Sequence, residues 1–328
     1  MTFPLSLDTQ ATLLLTAPLI AGDGEGNVNT LRPSEYVKLT SALAKSNQTP
    51  AHLLEPNLER LSTELRAVID DERYRQLLSR GFQLTQAQER WQSRAIWIVG
   101  HNDDGYPTRF KDRLKDHSPP IIYGCGDAAI LETGGLAVVG SRDVDPTLVE
   151  FTENVGRLAA HTRRTVVSGA ARGIDQAAMR GALEAGGKVV GVMADSLERA
   201  ALHQEHRDLI SDGRLVLISP YDPLAGFNIG HAMQRNKLIY ALSDAALVVN
   251  SDYEKGGTWA GAVEQLEKYR FVPVYVRTSG DVSQGLEALH RKGALPWTNP
   301  TCSDDFEQLM AHAAEVRQTS SYEQLSFL

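Results

Sequence analysis

The apolar positions of this chain follow two rhythms. Through residue 90 they recur at helical spacing with no alternating stretch. An apolar run covers 7–20, and a Gly/Asp/Asn loop follows over 21–30. Pro33-Ser34-Glu35 opens a helix that reaches about Lys45, with proline at a position that helices accept early. Thr49-Pro50 starts a shorter helical piece. A helix over 70–79 ends at Arg80-Gly81, with the glycine read as its C′ residue, and Thr85 reads as the cap of a further helix to Arg94. From residue 95 the rhythm changes. Ala95 to Val99 reads as a strand, followed by a lead-in whose prolines (Pro107, Pro119, Pro120) keep it ordered. Near-continuous Val/Ile/Leu runs then lie over 136–140, 165–169, 188–194, 214–219, 245–250 and 271–276. They alternate with helical patterns over 146–161, 174–185, 197–210, 233–242 and 258–269. Strands buried on both faces have this uninterrupted composition. The expected fold is α/β, a doubly wound and mostly parallel sheet preceded by a small all-helical domain. The divisions fall at 1–90, 91–300 and 301–328, the last an acidic flexible tail with Gln318-Thr319-Ser320-Ser321 unstructured.

Charge and cysteine content narrow the chemistry. The net charge of −8 argues against coating nucleic acid by bulk charge. Half of it lies in residues 301–328, where Arg317 stands against Asp304, Asp305, Glu307, Glu315 and Glu323. Any basic site in the sheet region must therefore be a local cluster. The 2 cysteines, Cys125 and Cys302, match no metal spacing and suggest a reducing, cytoplasmic setting. No apolar run reaches the ~18 residues of a membrane span, and no signal peptide is read.

In a parallel sheet the βα loops collect at the carboxyl edge, where ligands bind. The loops here are Gly140-Ser141-Arg142; Ser168-Gly169-Ala170-Ala171-Arg172-Gly173 running into Ile174-Asp175; a third loop at Asp195; Gly226-Phe227-Asn228 leading to Arg235-Asn236-Lys237; and Lys255-Gly256-Gly257-Thr258. Strand, glycine turn and helix start present backbone N–H groups to an anion. Cations in four of five loops on one edge point to a phosphate-bearing ligand, and arginine's planar fork suits two phosphate oxygens. Phe227 is read either as a base-stacking ring or as a core anchor, and Trp259 as core. Asp175 reads as a turn organiser at a helix start. His203 and His206 share a helix face, but their neighbours make a solvated surface the better reading than a metal site. There is no G-x-G-x-x-G, no G-x-x-x-x-G-K-[ST] and no G-x-S-x-G, which disfavours a nicotinamide enzyme, a P-loop motor and a serine hydrolase. No cofactor or metal is expected.

These loops together resemble the DNA-processing protein A family (DprA/Smf). The resemblance rests on Tyr106-Pro107, Pro119-Pro120-Ile121-Ile122-Tyr123-Gly124, Val138-Val139-Gly140-Ser141-Arg142, Ser168 to Asp175, Gly186-Gly187, and Arg235-Asn236-Lys237-Leu238-Ile239, and covers residues 95–280. It implies a Rossmann-like domain behind a SAM-like helical one. It also implies a homodimer that binds single-stranded DNA without catalysis and delivers the recombinase RecA to incoming strands in natural transformation. Carried over by position, Arg142, Arg172, Arg235 and Lys237 would contact DNA. The candidate phosphate set is completed by Gly140, Ser141, Ser168, Gly169, Gly173, Phe227, Asn236, Gly256, Gly257 and Thr258.

Two features depart from that pattern. Residues 256–262, with Glu264 on the same helix, look closer to the loop of lysine-decarboxylase-like nucleotide phosphoribohydrolases (LOG). The proline expected before Arg235-Asn236 is absent. The alternative these departures raise is a nucleotide-hydrolysing enzyme with Glu264 as acid/base and Arg172 or Arg235 on the phosphate, or a nucleotide sensor with the same site. The family's optional winged helix would not fit in the short tail. The final residues Gln324, Leu325, Ser326, Phe327 and Leu328 resemble a sliding-clamp-binding peptide with its last two residues exchanged, against the simpler reading of an apolar end that packs back.

Overall fold

A computed structural model describes residues 5–19, 29–55 and 62–325, with the side chains from 319 onward left out. Nine strands form one sheet: β1 (Trp97–Gly100), β2 (Ile121–Cys125), β3 (Leu136–Val139), β4 (Val166–Ser168), β5 (Val189–Val192), β6 (Leu215–Ser219), β7 (Ala245–Val248), β8 (Val274–Val276) and β9 (Leu295–Pro296). Their spatial order is β1-β2-β6-β5-β4-β3-β7-β8-β9. From β6 to β9 every pairing is parallel, and β1 and β2 add an antiparallel edge beside β6. Both faces are covered, as the unbroken apolar runs require. Leu136, Val138, Leu215, Leu217, Ala245 and Leu247 point into one core, while Ala137, Val139, Val216, Ile218, Ala246 and Val248 point into the other. The fold is thus the expected α/β one, a mostly parallel Rossmann-like sheet after an all-helical segment.

The strand order fixes where a ligand can sit. The chain steps outward from β3 to β6, crosses back, and continues from β7 on the other side of β3. The neighbours β3 and β7 therefore send their following loops apart and open a crevice at their carboxyl ends. The helix starts predicted at 146, 174 and 197 hold, while the helix expected from 233 begins at Ile229. Asp145 accepts the Leu148 N–H at 3.0 Å and caps the helix Pro146–His161, with Pro146 in the first turn. The expected helix over 197–210 is two, Leu197–Leu202 and Gln204–Ser211, broken at the extended residue His203. The crossover helix between β7 and β8, Gly256–Glu264, begins earlier than expected and runs on as a π-turn over Gln265–Tyr269.

Two readings of the helical region need correction. Gly81 does not close a helix; it is the first residue of the helix Gly81–Ser93, and Thr85 lies inside that helix with its hydroxyl donating to the Gly81 carbonyl. The stop comes instead from Arg80. Its buried guanidinium donates to the carbonyls of Leu14, Ala17, Pro18 and Leu77, gathering two helix C-termini at once. The helices Leu7–Thr16 and Gly81–Ser93 also share a core with the sheet through Leu13, Leu14, Leu84, Ala87 and Trp91 against Ile121 and Tyr123.

The expected flexible tail is a helix over Ser303–Leu325, continuous through 318–321. Phe306, Leu309, Met310 and Ala313, spaced three to four apart, pack into the sheet core beside Trp297. Arg164 reaches Glu307 at 2.8 Å, and Arg317 reaches Asp244 at 3.2 Å. High charge masked this stripe in the sequence. The clamp-like end lies outside the described side chains (Gln324, Leu325) and outside the described residues altogether (Phe327, Leu328).

Candidate nucleic-acid interface

The crevice at the β3/β7 switch point has two adjoining compartments. The larger, 1120 Å³, runs beside the helix Ile174–Glu184 and under the helices from Leu197 to Ser211. The smaller, 800 Å³, lies between the β3 loop and the start of the helix Gly256–Glu264. They meet at Arg142, Ala171, Phe227, Ala232 and Arg235, which line both.

Their charges differ. Arg142, Arg172, Arg180, Arg199, Arg214 and Arg235 face the larger compartment against Glu184, Asp195 and Glu205. The smaller has Arg142, Arg235 and Lys255 against Asp143, Asp175, Asp252 and Glu254. Arg142 and Arg172 are exposed and form no ion pair among the described residues. The Arg142 guanidinium lies 5.3 Å from the centre of the Phe227 ring. Phe227 is 57% exposed, so it is not a core anchor; it presents an aromatic face backed by a cation.

Arg235 is at the junction and is built differently. It is only 5% exposed, yet its Nε and Nη1 atoms find no hydrogen-bond partner among the described residues. Burial lowers its pKa from the usual arginine range, and the nearby Asp175 opposes that shift. Asp175 is occupied elsewhere, since its Oδ2 accepts the Gly169 N–H at 3.1 Å. Desolvation raises the Asp175 carboxyl to about 6, against the pull of Arg235 and of backbone N–H groups from Ala171, Gly169 and Gly140. Asp175 is thus the turn organiser that its position suggested.

The turn's glycines have separate reasons. At Gly169 an added Cβ would fall on the Arg235 guanidinium, so the absence of a side chain makes room for that cation. Gly169 is not left-handed; Ala170 (φ 54°) and Gly173 (φ 83°) are. A Cβ at Gly173 would also lie 2.5 Å from the carbonyl oxygens of Ser141 and Arg142, because the two loops touch. Across the crevice, Thr258 Oγ1 donates to the Gly140 carbonyl at 2.9 Å, and Asn236 Nδ2 donates to the Gly257 carbonyl at 2.9 Å. Asn228 caps the helix Ile229–Leu242 by accepting the His231 N–H at 3.1 Å.

Several candidate residues stand elsewhere than expected. Ser168 is fully buried, and its hydroxyl donates to the Val138 carbonyl at 2.6 Å; it joins β4 to β3 and meets no ligand. Asn236 spends its amide on the neighbouring loop. Lys237 lines neither compartment. Two residues beyond Arg235 on one helix, it is turned by about 200° and lies near Glu264 and Lys268 instead. Glu264 is 3.5 Å from Lys268 and likewise lines neither compartment. Arg172, Gly140, Ser141, Gly256, Gly257 and Thr258 all border the crevice. His203 and His206 border it too, with rings 5.2 Å apart, and no metal-ligand group occurs among the described residues.

The residues alone did not single out Arg180, Arg199 and Arg214; Trp259, read as core, packs partly buried against the core, lines the smaller compartment and meets the Tyr253 ring edge-to-face at 5.2 Å. Arg180 was within reach of periodicity, because Gln176 and Arg180 lie one turn apart on the same face of the helix Ile174–Glu184.

Comparison with known proteins agrees with this fold. The family model for DNA recombination-mediator protein A matches residues 97–307. A putative DNA processing protein DprA of Mycobacterium tuberculosis is 30% identical over 213 residues, covering 61% of this chain and 51% of that one. Protein Smf of Escherichia coli is 31% identical over 195 residues, 56% of this chain and 49% of that one. The chain spans about half the length of these curated relatives. The crystal structure of DprA from Streptococcus pneumoniae has the same fold, with a TM-score of 0.65 at 21% identity over 93% of this chain and 97% of that one. A structure addressing the single-stranded DNA binding mode of DprA from Helicobacter pylori superposes with a TM-score of 0.54 at 25% identity, covering 66% of this chain and 97% of that one. With well over half of its 328 residues matched by the family model, the chain belongs to the DNA recombination-mediator protein A family.

Proposed function

We propose that this protein binds single-stranded DNA in the switch-point crevice and acts as a non-catalytic recombination mediator. The observation that carries this reading is the buried guanidinium of Arg235, with Nε and Nη1 lacking a hydrogen-bond partner among the described residues, beside the exposed Arg142–Phe227 pair. A cation held without a partner suits an anionic ligand, and a half-exposed ring backed by arginine suits an unpaired base. The Helicobacter pylori relative described for its single-stranded DNA binding supports the same assignment. The contacts we propose are Arg142, Arg172, Arg235 and Phe227, with the backbone at Gly140, Ser141 and 256–258. Lys237 and Ser168 are not among them.

The finer role follows the family. It includes a homodimer working in the cytoplasm, hand-over of the bound strand to the recombinase RecA, and a part in DNA uptake. A sliding clamp is a further partner through Gln324 to Leu328, on sequence grounds alone. Deleting 324–328 then abolishes clamp binding and leaves DNA affinity intact.

The test is a titration of the full chain against single-stranded DNA, duplex DNA and nucleotides at two salt concentrations. Single-stranded DNA binds best, and its affinity falls as salt rises. Arg142→Ala and Arg172→Ala each reduce the slope of log affinity against log salt by about 0.7. Tight nucleotide binding without DNA affinity would refute the reading.

A further inference from the structure

The contrast between the exposed cations and Arg235 bears on which phosphate the crevice takes. An internal phosphodiester carries one charge and is flanked on both sides by sugars. It is served by open surface, such as that around Arg142 and Arg172. Arg235 is 5% exposed and lines both compartments where they meet, its guanidinium against Gly169 and near the Arg142–Phe227 pair. With Nε and Nη1 sealed from solvent and without a hydrogen-bond partner among the described residues, a group that meets the guanidinium from the crevice must be narrow and strongly anionic. A phosphomonoester meets both conditions, with three free oxygens, up to two charges and one substituent. The charge pattern points the same way. The larger compartment can follow a polyanion, whereas the acidic residues Asp143, Asp252 and Glu254 around the smaller one repel a strand running through.

We infer that Arg235 receives a phosphomonoester, so that the crevice holds the end of a phosphorylated strand or a free nucleotide in preference to an internal stretch of DNA. This rests on the single-stranded DNA reading for its polymeric ligand, and only the end preference is new. The loop containing Gly169 is built for it, because a side chain there would displace the guanidinium.

The experiment compares a 20-residue oligonucleotide carrying a 5′-phosphate, a 3′-phosphate or hydroxyls at both ends, and a circular strand of the same composition. Adenosine monophosphate and adenosine serve as competitors. A phosphorylated end raises affinity at least tenfold over the hydroxyl form. Arg235→Gln brings that ratio to within twofold while residual strand binding persists. Gly169→Ala, which leaves Arg235 in place but pushes its guanidinium aside, lowers the ratio as well and covers the case in which Arg235→Gln fails to fold. The monophosphate competes and adenosine does not. Equal binding of circular, hydroxyl-ended and phosphorylated strands overturns the inference and leaves the single-stranded DNA reading intact. Binding of the monophosphate with no affinity for any strand does the reverse.

Discussion

Replacing Arg235 with methionine should make the ligand-free protein more stable while removing its hold on phosphate. Methionine fills a similar volume with an unbranched, adaptable chain. In the native protein two buried donors of the guanidinium go unmet, at a cost of about 1–3 kcal/mol each. Attraction to Asp175 offsets part of this, but that carboxylate already accepts the Gly169 N–H and forms no ion pair with Arg235 within 4.0 Å. Exchanging a buried charge that has no close partner for an apolar group of similar size removes its desolvation cost, whereas taking one member out of a close buried pair costs about 3–5 kcal/mol. The net expectation is a gain of about 1–3 kcal/mol. The assay is urea unfolding at pH 7 without ligand, read as a shift of the midpoint at constant slope. A loss of about 3 kcal/mol or more would mean that Arg235 and Asp175 form a structural ion pair, and the argument for a cation held in readiness would fall.

Three other outcomes follow from the same geometry. Asp175 has a native pKa of about 6 against about 3.9 in the unfolded chain, so the native state holds the extra proton between those values and stability rises as pH falls through that window. Relative to Asp175→Asn, the native protein should gain on the order of 3 kcal/mol between pH 7 and pH 4; parallel midpoint-versus-pH curves for the two proteins would contradict this. Phe227→Ala should weaken single-stranded DNA binding by about 5- to 100-fold, the value of roughly one stacked base, with thermal stability nearly unchanged because the ring is exposed; a large drop in melting temperature with unchanged affinity would return the ring to a packing role. Phe306→Ala should cost about 3–5 kcal/mol in urea unfolding, because the ring is fully buried under the sheet; a cost below about 1 kcal/mol would detach the last helix from the fold.

What the sequence made legible was set by burial. Six strands of the parallel sheet could be read because strands covered on both faces spell continuous apolar runs. β2 stayed hidden in a proline-bounded lead-in, and β9 is only two residues long. The glycine turns and the cations at one edge were visible because loop order follows strand order. Their division into partners was not. Arg235 and Lys237 adjoin in sequence but diverge around a helix, and the burial that sets Arg235 apart comes from β4's turn, some 60 residues away. Ser168 looked like part of an exposed turn because its burial depends on the pairing of β4 beside β3. The last helix was obscured by charge, since four apolar positions among many acidic ones suffice once a sheet face is waiting for them.

The hydrogen bonds from Thr258 to Gly140 and from Asn236 to Gly257 have a thermodynamic consequence. They pin the walls on either side of the crevice to each other before any ligand arrives, so little backbone freedom remains to be lost on binding. Association should therefore proceed without an ordering step, with a rate governed by encounter. Calorimetry should give a heat-capacity change no larger than the covered ring and methylene surface requires. Mutating either bond-forming side chain would return that entropy to the free protein and be felt as slower, weaker capture by a crevice whose charges had not changed.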